Sequence, residues 1–144
     1  MYLANHPVDL PVWALAGIAA LNFGGYFIFR TSNLQKNGFR RDRTTHIWGR
    51  PAEFIQTRRG TRLLVSGWWG VARHANYLGD LMMGLAWCLA TGVERVVPYF
   101  YILYSTILLL HREWRDGRHC AEKYGADWEA YTARVRWRIF PGLY

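Results

Sequence analysis

The sequence predicts an all-α, polytopic membrane protein with a cytoplasmic loop and a C-terminal amphipathic helix. Three observations carry that expectation. A stretch of 19 residues, Pro11 to Phe29, has no charge. Two further apolar stretches, Tyr77 to Val93 and Val96 to Leu110, are joined by Gly92-Val93-Glu94-Arg95. The basic residues then fall almost wholly into the two segments that one face of a membrane would share. Between Arg30 and Arg73 there are ten Lys+Arg and two acids, from Arg112 onward there are seven and five, and only Arg95 is left of the 18. Such segregation is the positive-inside pattern.

The first apolar stretch is long enough for a helix crossing a hydrocarbon core of about 30 Å, which takes roughly 20 residues. The second carries one acid, Asp80, near its start, and the third has no charge. Each is short alone, so together they read as a hairpin that crosses and recrosses the bilayer, with helices near 11–29, 77–93 and 96–111. No cleavable signal peptide is expected, because Asn5, His6 and Asp9 precede the first apolar run without a positively charged region. Pro51 and Gly60 punctuate the middle loop, Gly67 and Gly70 bracket a Trp pair, and the final RIFPGLY reads as a stop.

Composition excludes other classes. With 51% hydrophobic and 17% aromatic residues the 144-residue chain is not disordered. Two cysteines, Cys88 and Cys120, cannot make a disulfide scaffold. The net charge of +8 would suit nucleic acid, but that charge flanks membrane segments. No GxGxxG follows a strand and no GxxxxGK[ST] occurs, so neither a dinucleotide fold nor a P-loop is supported. His111 and His119 lie without HExxH or CxxC, and no metal site is expected.

Three polar segments carry the candidate chemistry. In SNLQKNGFRRD, Lys36 and Arg40 are four apart and share a helical face, a cationic pair suited to phosphate or to anionic lipid. In LLVSGWWGVARHANYLGD, Trp68 and Trp69 are interfacial anchors or a surface for a flat ring. Arg73, His74, Asn76 and Tyr77 follow at the mouth of a helix. Asp80 just inside it is a functional residue by default, or else a partner of Arg73 or His74. HREWRDGRHCAEKYGADWEAY continues the last apolar helix out of the bilayer, and on it Arg112, Asp116, His119 and Lys123 line one helical face. Arg112 can pair with Asp116 and Arg115 with His119. Gly125 after Tyr124 ends that helix. A solvated amphipathic helix on a membrane surface fits the same pattern.

At LLVSGWWG, NYLGD and HREWRD with C..KYG.DW, the chain closely resembles the C-terminal part of the Δ14-sterol reductase family, which includes the sterol reductase domain of the lamin B receptor. A full member has roughly ten membrane helices, each of about 20 residues, and this chain is expected to be a fragment holding the last few. Residues 1–144 would then be the cofactor-binding part of the sterol reductase domain.

The resemblance implies an NADPH-dependent reductase of a ring double bond, Δ14 by overall similarity, in sterol biosynthesis. It implies NADPH contacts from Lys36 and Arg40 in QKNxFR, from Leu64 and Trp69 in LLVSGWWG, and from Asn76 and Tyr77 in NYLGD. It adds Asp116 in the RD of HRExRD, then Cys120, Ala121, Glu122, Lys123, Tyr124 and Tyr131 in C..KYG....Y. No catalytic residue is assigned. The implied partners are a sterol, membrane lipid and the N-terminal helices of a full-length enzyme. The implied location is the endoplasmic reticulum or a bacterial inner membrane, with the basic loop and C-terminus cytoplasmic.

There are departures. Ala75 stands where the family usually has Pro, and the segment between Arg41 and Gly60 does not resemble the family's loop. An alternative is an S-adenosylmethionine-dependent isoprenylcysteine or phospholipid methyltransferase, which shares the RHxxYxG, hairpin and KYG..W..Y arrangement. The Lys36/Arg40 pair discriminates, because S-adenosylmethionine has no phosphate to neutralise. A membrane anchor for chromatin is disfavoured, since no nucleic-acid-binding extension occurs in these residues.

Overall fold

A computed structural model of the chain describes residues 8–42, 44–94 and 96–144. Asn5, His6 and Arg95, used in the topology argument, lie outside the described residues. The fold is mostly helical. It begins with α1, Val12–Arg41, 30 residues without a break and thus about 45 Å long at 1.5 Å per residue. Its apolar part faces outward, with Val12, Trp13, Phe23 and Phe27 all exposed. Among the described residues α1 is the one helix long and apolar enough to cross a membrane by itself.

The expected first helix stopped near residue 29, where apolarity ends. The backbone does not stop there, because no proline lies between Arg30 and Arg41 and the single glycine, Gly38, costs only about 1 kcal/mol. The polar extension is therefore a rigid continuation of the apolar rod. It ends at Asp42, whose N–H donates to Gly38 O at 2.9 Å and whose carboxylate accepts from the Thr44 N–H at 2.9 Å. Arg40 and Arg41 in its last turn face the negative end of the helix dipole.

The middle segment departs from the all-α expectation. It forms two antiparallel hairpins. In the first, β1 (His46–Ile47) pairs with β2 (Arg50–Pro51); in the second, β3 (Phe54–Gln56) pairs with β4 (Arg62–Leu64). Trp48 and Gly49 both take positive φ, at 52° and 75°, the twist that suits a two-residue hairpin loop. The hairpins fold Ile47 and Leu64 onto Phe39 of α1 and Trp69 of α2 (Trp68–Val71), one of three small cores.

Helix α3, Ala75–Leu89, runs antiparallel to α1. The two cross at a pair of glycines. A Cβ on Gly25 would lie 2.8 Å from Gly79 O, and one on Gly79 would lie 2.6 Å from Gly25 O and from Phe29 N. Small residues are what permit such close backbone approach between helices. The expected span 77–93 is shorter in fact. It ends in a turn at Thr91 and Gly92, braced by Tyr99 OH donating to Gly92 O at 3.2 Å.

After a 3-10 turn, Val97–Tyr99, helix α4 runs from Phe100 to Tyr124. The apolar part expected at 96–111 thus starts later, and its continuation through the charged segment runs to Tyr124 as expected. Gly125, at φ 52°, breaks it where expected, and α5, Ala126–Arg134, follows. Tyr77, Leu81, Leu109 and Ile139 form the second core, and Val65, Tyr131 and Val135 the third. The final segment, 136–144, is more than a stop. Its Trp137 and Arg138 carbonyls accept from the N–H groups of Arg73 (2.9 Å) and His74 (2.8 Å). Ile139 within it is wholly buried.

Candidate functional site

The polar extension of α1, the short α2, the start of α3 and the polar half of α4 meet at one end of the helix bundle. The local anchoring comes from α1. Trp69 Nε1–H donates to Ser32 O at 2.8 Å, Trp68 Nε1–H to Thr31 Oγ1 at 2.8 Å, and the Trp68 main-chain N–H to Gln35 Oε1 at 2.9 Å. These bonds set the Trp69 indole, buried at 4% exposure, beneath the next turn of α1. There the Lys36 ammonium lies 4.0 Å from its ring centroid, within cation–π range. Burial, and then the neighbouring charge of Arg40, lower the Lys36 pKa, with Cys120 and Asp116 opposing.

The second wall is the turn into α3. The His74 ring stacks on Tyr77 with centroids 4.7 Å apart and planes 19° from parallel. Burial, then the charge of Lys36, push the His74 pKa down to about 4, with Arg73 and Arg112 adding to the effect and Asp116 opposing it. At neutral pH His74 is therefore an uncharged imidazole among cations. Among the described residues, Asn76 beside it has a buried Oδ1 with no hydrogen-bond partner, and the Nε of Arg73 is likewise buried and unpaired.

The third wall is α4. Arg112 lies 5.9 Å over the Tyr77 ring and 3.9 Å from Asp116 Oδ2, and Arg115 lies 3.6 Å from Asp116 Oδ1. Cys120 is half-buried, and burial, then Asp116, push its thiol pKa up. Burial pushes the Tyr131 phenol up to about 12.

The structure thus brings Lys36, Trp69, Tyr77, Asp116 and Cys120 together, with Asn76 next to Tyr77 on α3 and Arg40 a turn beyond Lys36 on α1. Other candidates stand differently. Leu64 is buried in the same core as Trp69. Tyr131 is buried between Val65 and Val135 and stacks on Trp128. Tyr124 is half-buried with Lys123 Nζ 5.1 Å over its ring, while Ala121 and Glu122 are exposed.

Three readings are corrected. The inward face of α4 runs through Leu109, Glu113, Asp116, Cys120 and Tyr124, whereas His119 is exposed and off that face. The Arg115–His119 pair does not form among the described residues, because Arg115 turns to Asp116. Asp80 is exposed and pairs with neither Arg73 nor His74.

Sequence reasoning passed over Glu113, which is 2% exposed. Its carboxylate accepts from Arg138 Nη1 at 3.3 Å and from Tyr144 OH at 3.2 Å. The available signal was its position four residues after Leu109, on the apolar stripe of α4.

Comparison with known proteins gives a consistent result. The profile described as the ergosterol biosynthesis ERG4/ERG24 family matches residues 1–144. The chain is 55% identical over 143 residues to a protein named Delta(14)-sterol reductase from Methylotuvimicrobium alcaliphilum, covering 99% of this chain and 34% of that one. It is 50% identical over 147 residues to Delta(14)-sterol reductase erg24 of Schizosaccharomyces pombe, covering 99% and 34%. It is 49% identical over 147 residues to a Delta(14)-sterol reductase of Ascobolus immersus, covering 99% and 33%. The chain therefore spans about a third of the length of these curated relatives.

Proposed function

The chain belongs to the ergosterol biosynthesis ERG4/ERG24 family, and from that membership we propose that it forms the NADPH-binding part of a membrane reductase acting on a sterol ring double bond, the Δ14 bond. The observation that carries the cofactor assignment is the Lys36 ammonium against the Trp69 indole, with Arg40 one turn further along the same rigid helix. A cation already half stripped of water and held against a flat aromatic face suits a ligand that combines phosphate with planar rings.

The other groups fit the same ligand. The orphaned Asn76 Oδ1 needs a donor, which a nicotinamide carboxamide or a ribose hydroxyl supplies. Asp116 can accept from a second hydroxyl while Arg112 and Arg115 limit its negative charge. Neutral His74 can donate one hydrogen bond and accept another. Lys36, Arg40 and Arg112 are the groups to neutralise the phosphates, and the buried Trp69 and Tyr77 rings hold Lys36, His74 and Arg112 in place around them. When bound, NADPH supplies the hydride; what these residues do is bind it and fix its orientation.

The apolar halves of α1, α3 and α4 lead away from the polar end, and their outward faces are rich in exposed Phe, Leu and Trp. In this reading they cross the membrane together, and lipid and further helices of a longer enzyme cover them. The basic segments then face the cytoplasm by the positive-inside rule. A sterol would reach the nicotinamide from the apolar side, where much of its pocket comes from other helices.

The test is a titration of the detergent-solubilised chain with NADPH, NADH and S-adenosylmethionine, read as quenching of Trp fluorescence. Saturable NADPH binding, with NADH weaker and S-adenosylmethionine silent, is expected. Binding of S-adenosylmethionine alone would move the chain to the methyltransferases, and silence toward NADPH would refute the claim that these residues hold it unaided.

A further inference from the structure

Glu113 is the most buried ionisable side chain of α4, and the cofactor contacts proposed above make no use of it. It is too far inside to be a solvated member of the charged run around it. Burying a carboxylate is costly unless it is paired and hydrogen-bonded. Here both conditions are met by one segment, 136–144. Arg138 Nη1 and Tyr144 OH both donate to Glu113 Oε2, at 3.3 and 3.2 Å, and Arg138 Nη1 also donates to Tyr144 OH at 3.0 Å. The segment is closed on itself as well. The main-chain oxygen of Tyr144 accepts from three successive amides beginning at Arg138, at 2.8, 3.1 and 3.1 Å.

What this closed segment holds in turn is the edge of the site. Its Trp137 and Arg138 carbonyls accept from the main-chain N–H groups of Arg73 and His74, at 2.9 and 2.8 Å. Among the described residues no side chain caps the start of α3, and these two bonds, with Arg73 Nη2 donating to Arg136 O at 3.4 Å, tie the turn to the segment. The turn sets where the His74 ring stacks on Tyr77 and where Asn76 presents its unpartnered oxygen.

We propose that Glu113 is a positioning residue: through Arg138 and Tyr144 it clamps segment 136–144 onto the main chain of Arg73 and His74, and so orders the wall of the cofactor site. The link to cofactor rests on the NADPH reading; the clamp itself does not. Glu113 touches no ligand in this scheme. Its effect passes through two carbonyl oxygens of a segment that makes no cofactor contact of its own.

The test uses the full chain in detergent, with Glu113→Gln and the milder Tyr144→Phe. Amide hydrogen exchange and NADPH titration are measured on both. Glu113→Gln is expected to accelerate exchange at Arg73 and His74 roughly tenfold, leave α1 amides unchanged, and weaken NADPH binding roughly tenfold, the scale of losing a hydrogen bond to a charged group. Tyr144→Phe is expected to move the same amides less, and it decides the matter if the Gln variant does not fold. Unchanged exchange at Arg73 and His74 would overturn the clamp. Faster exchange there with unaltered NADPH affinity would overturn its role at the site, and uniform acceleration over all helices would make Glu113 a general stability residue. A wild-type chain that binds no NADPH would sink the cofactor reading, and local exchange alone would then decide the clamp.

Discussion

Lys36 and Trp69 meet with ammonium and ring centroid 4.0 Å apart, although they come from different helices separated by two hairpins. The contact exists because α1 does not end with its apolar run. The same rod that is apolar for its first five turns delivers Lys36 and Arg40 to the site, and the Ser32 and Gln35 bonds bring the Trp pair up against it.

Substituting either cation tests the phosphate assignment. Lys36→Ala and Arg40→Ala are each expected to weaken NADPH binding by about 10- to 100-fold, the range for a lost charge-assisted hydrogen bond. NADH, which lacks the extra phosphate, should be affected much less. Equal weakening of both cofactors, in the same fluorescence titration, would show that the pair does not read that phosphate.

Asp116→Asn separates binding from folding. Its ion pairs with Arg112 and Arg115 are solvent-accessible, and such pairs contribute about 0–1 kcal/mol. Thermal stability should therefore barely move, while NADPH affinity falls through loss of an acceptor. A large drop in the unfolding midpoint would instead make Asp116 a structural partner of the arginines.

Much of the site was legible because residue type and helical spacing coincide there. Lys36 and Arg40 share a face by simple periodicity, and Gly125 marks the end of α4 by its freedom at positive φ. The register of α4 was harder. Picking charged residues at helical spacing selected His119, whereas burial runs through Glu113 and Cys120, and a buried acid in a charged run looks like a solvated one. The hairpins were invisible because strands of two and three residues are too short to show an alternating period. The end of the first helix was misplaced because apolarity marks the membrane and not the helix.

His74 makes the fold sensitive to mild acid. Its pKa of about 4 lies below the usual 6.5, so below pH 6.5 the unfolded chain binds the proton more readily than the folded one. Stability is unaffected by this group above pH 6.5 and falls as pH drops from there to about 4, by at most about 3 kcal/mol. His74→Gln should flatten that part of the stability–pH curve in denaturant titrations. An unchanged slope between pH 6.5 and 4 would mean that His74 is not held neutral in the folded state.

The crossing of α1 and α3 should tolerate no added carbon. A methyl on Gly79 would press on the Gly25 oxygen and the Phe29 nitrogen at 2.6 Å, and both are main-chain atoms that cannot rotate away. Gly79→Ala must therefore push the helices apart, at about 1–3 kcal/mol, the scale of overpacking a core. Gly17→Ala is the control, since a Cβ there meets nothing within 4 Å among the described residues, and it should match or slightly exceed wild type because Ala favours helix. Unfolding midpoints in detergent distinguish them. Because Gly79 lies one turn beyond Asn76 on α3, separation of the helices should also draw Asn76 and Tyr77 away from Lys36. The Gly79 variant is thus expected to lose NADPH affinity along with stability, and equal stability of the two variants would show that the helices do not cross at these glycines.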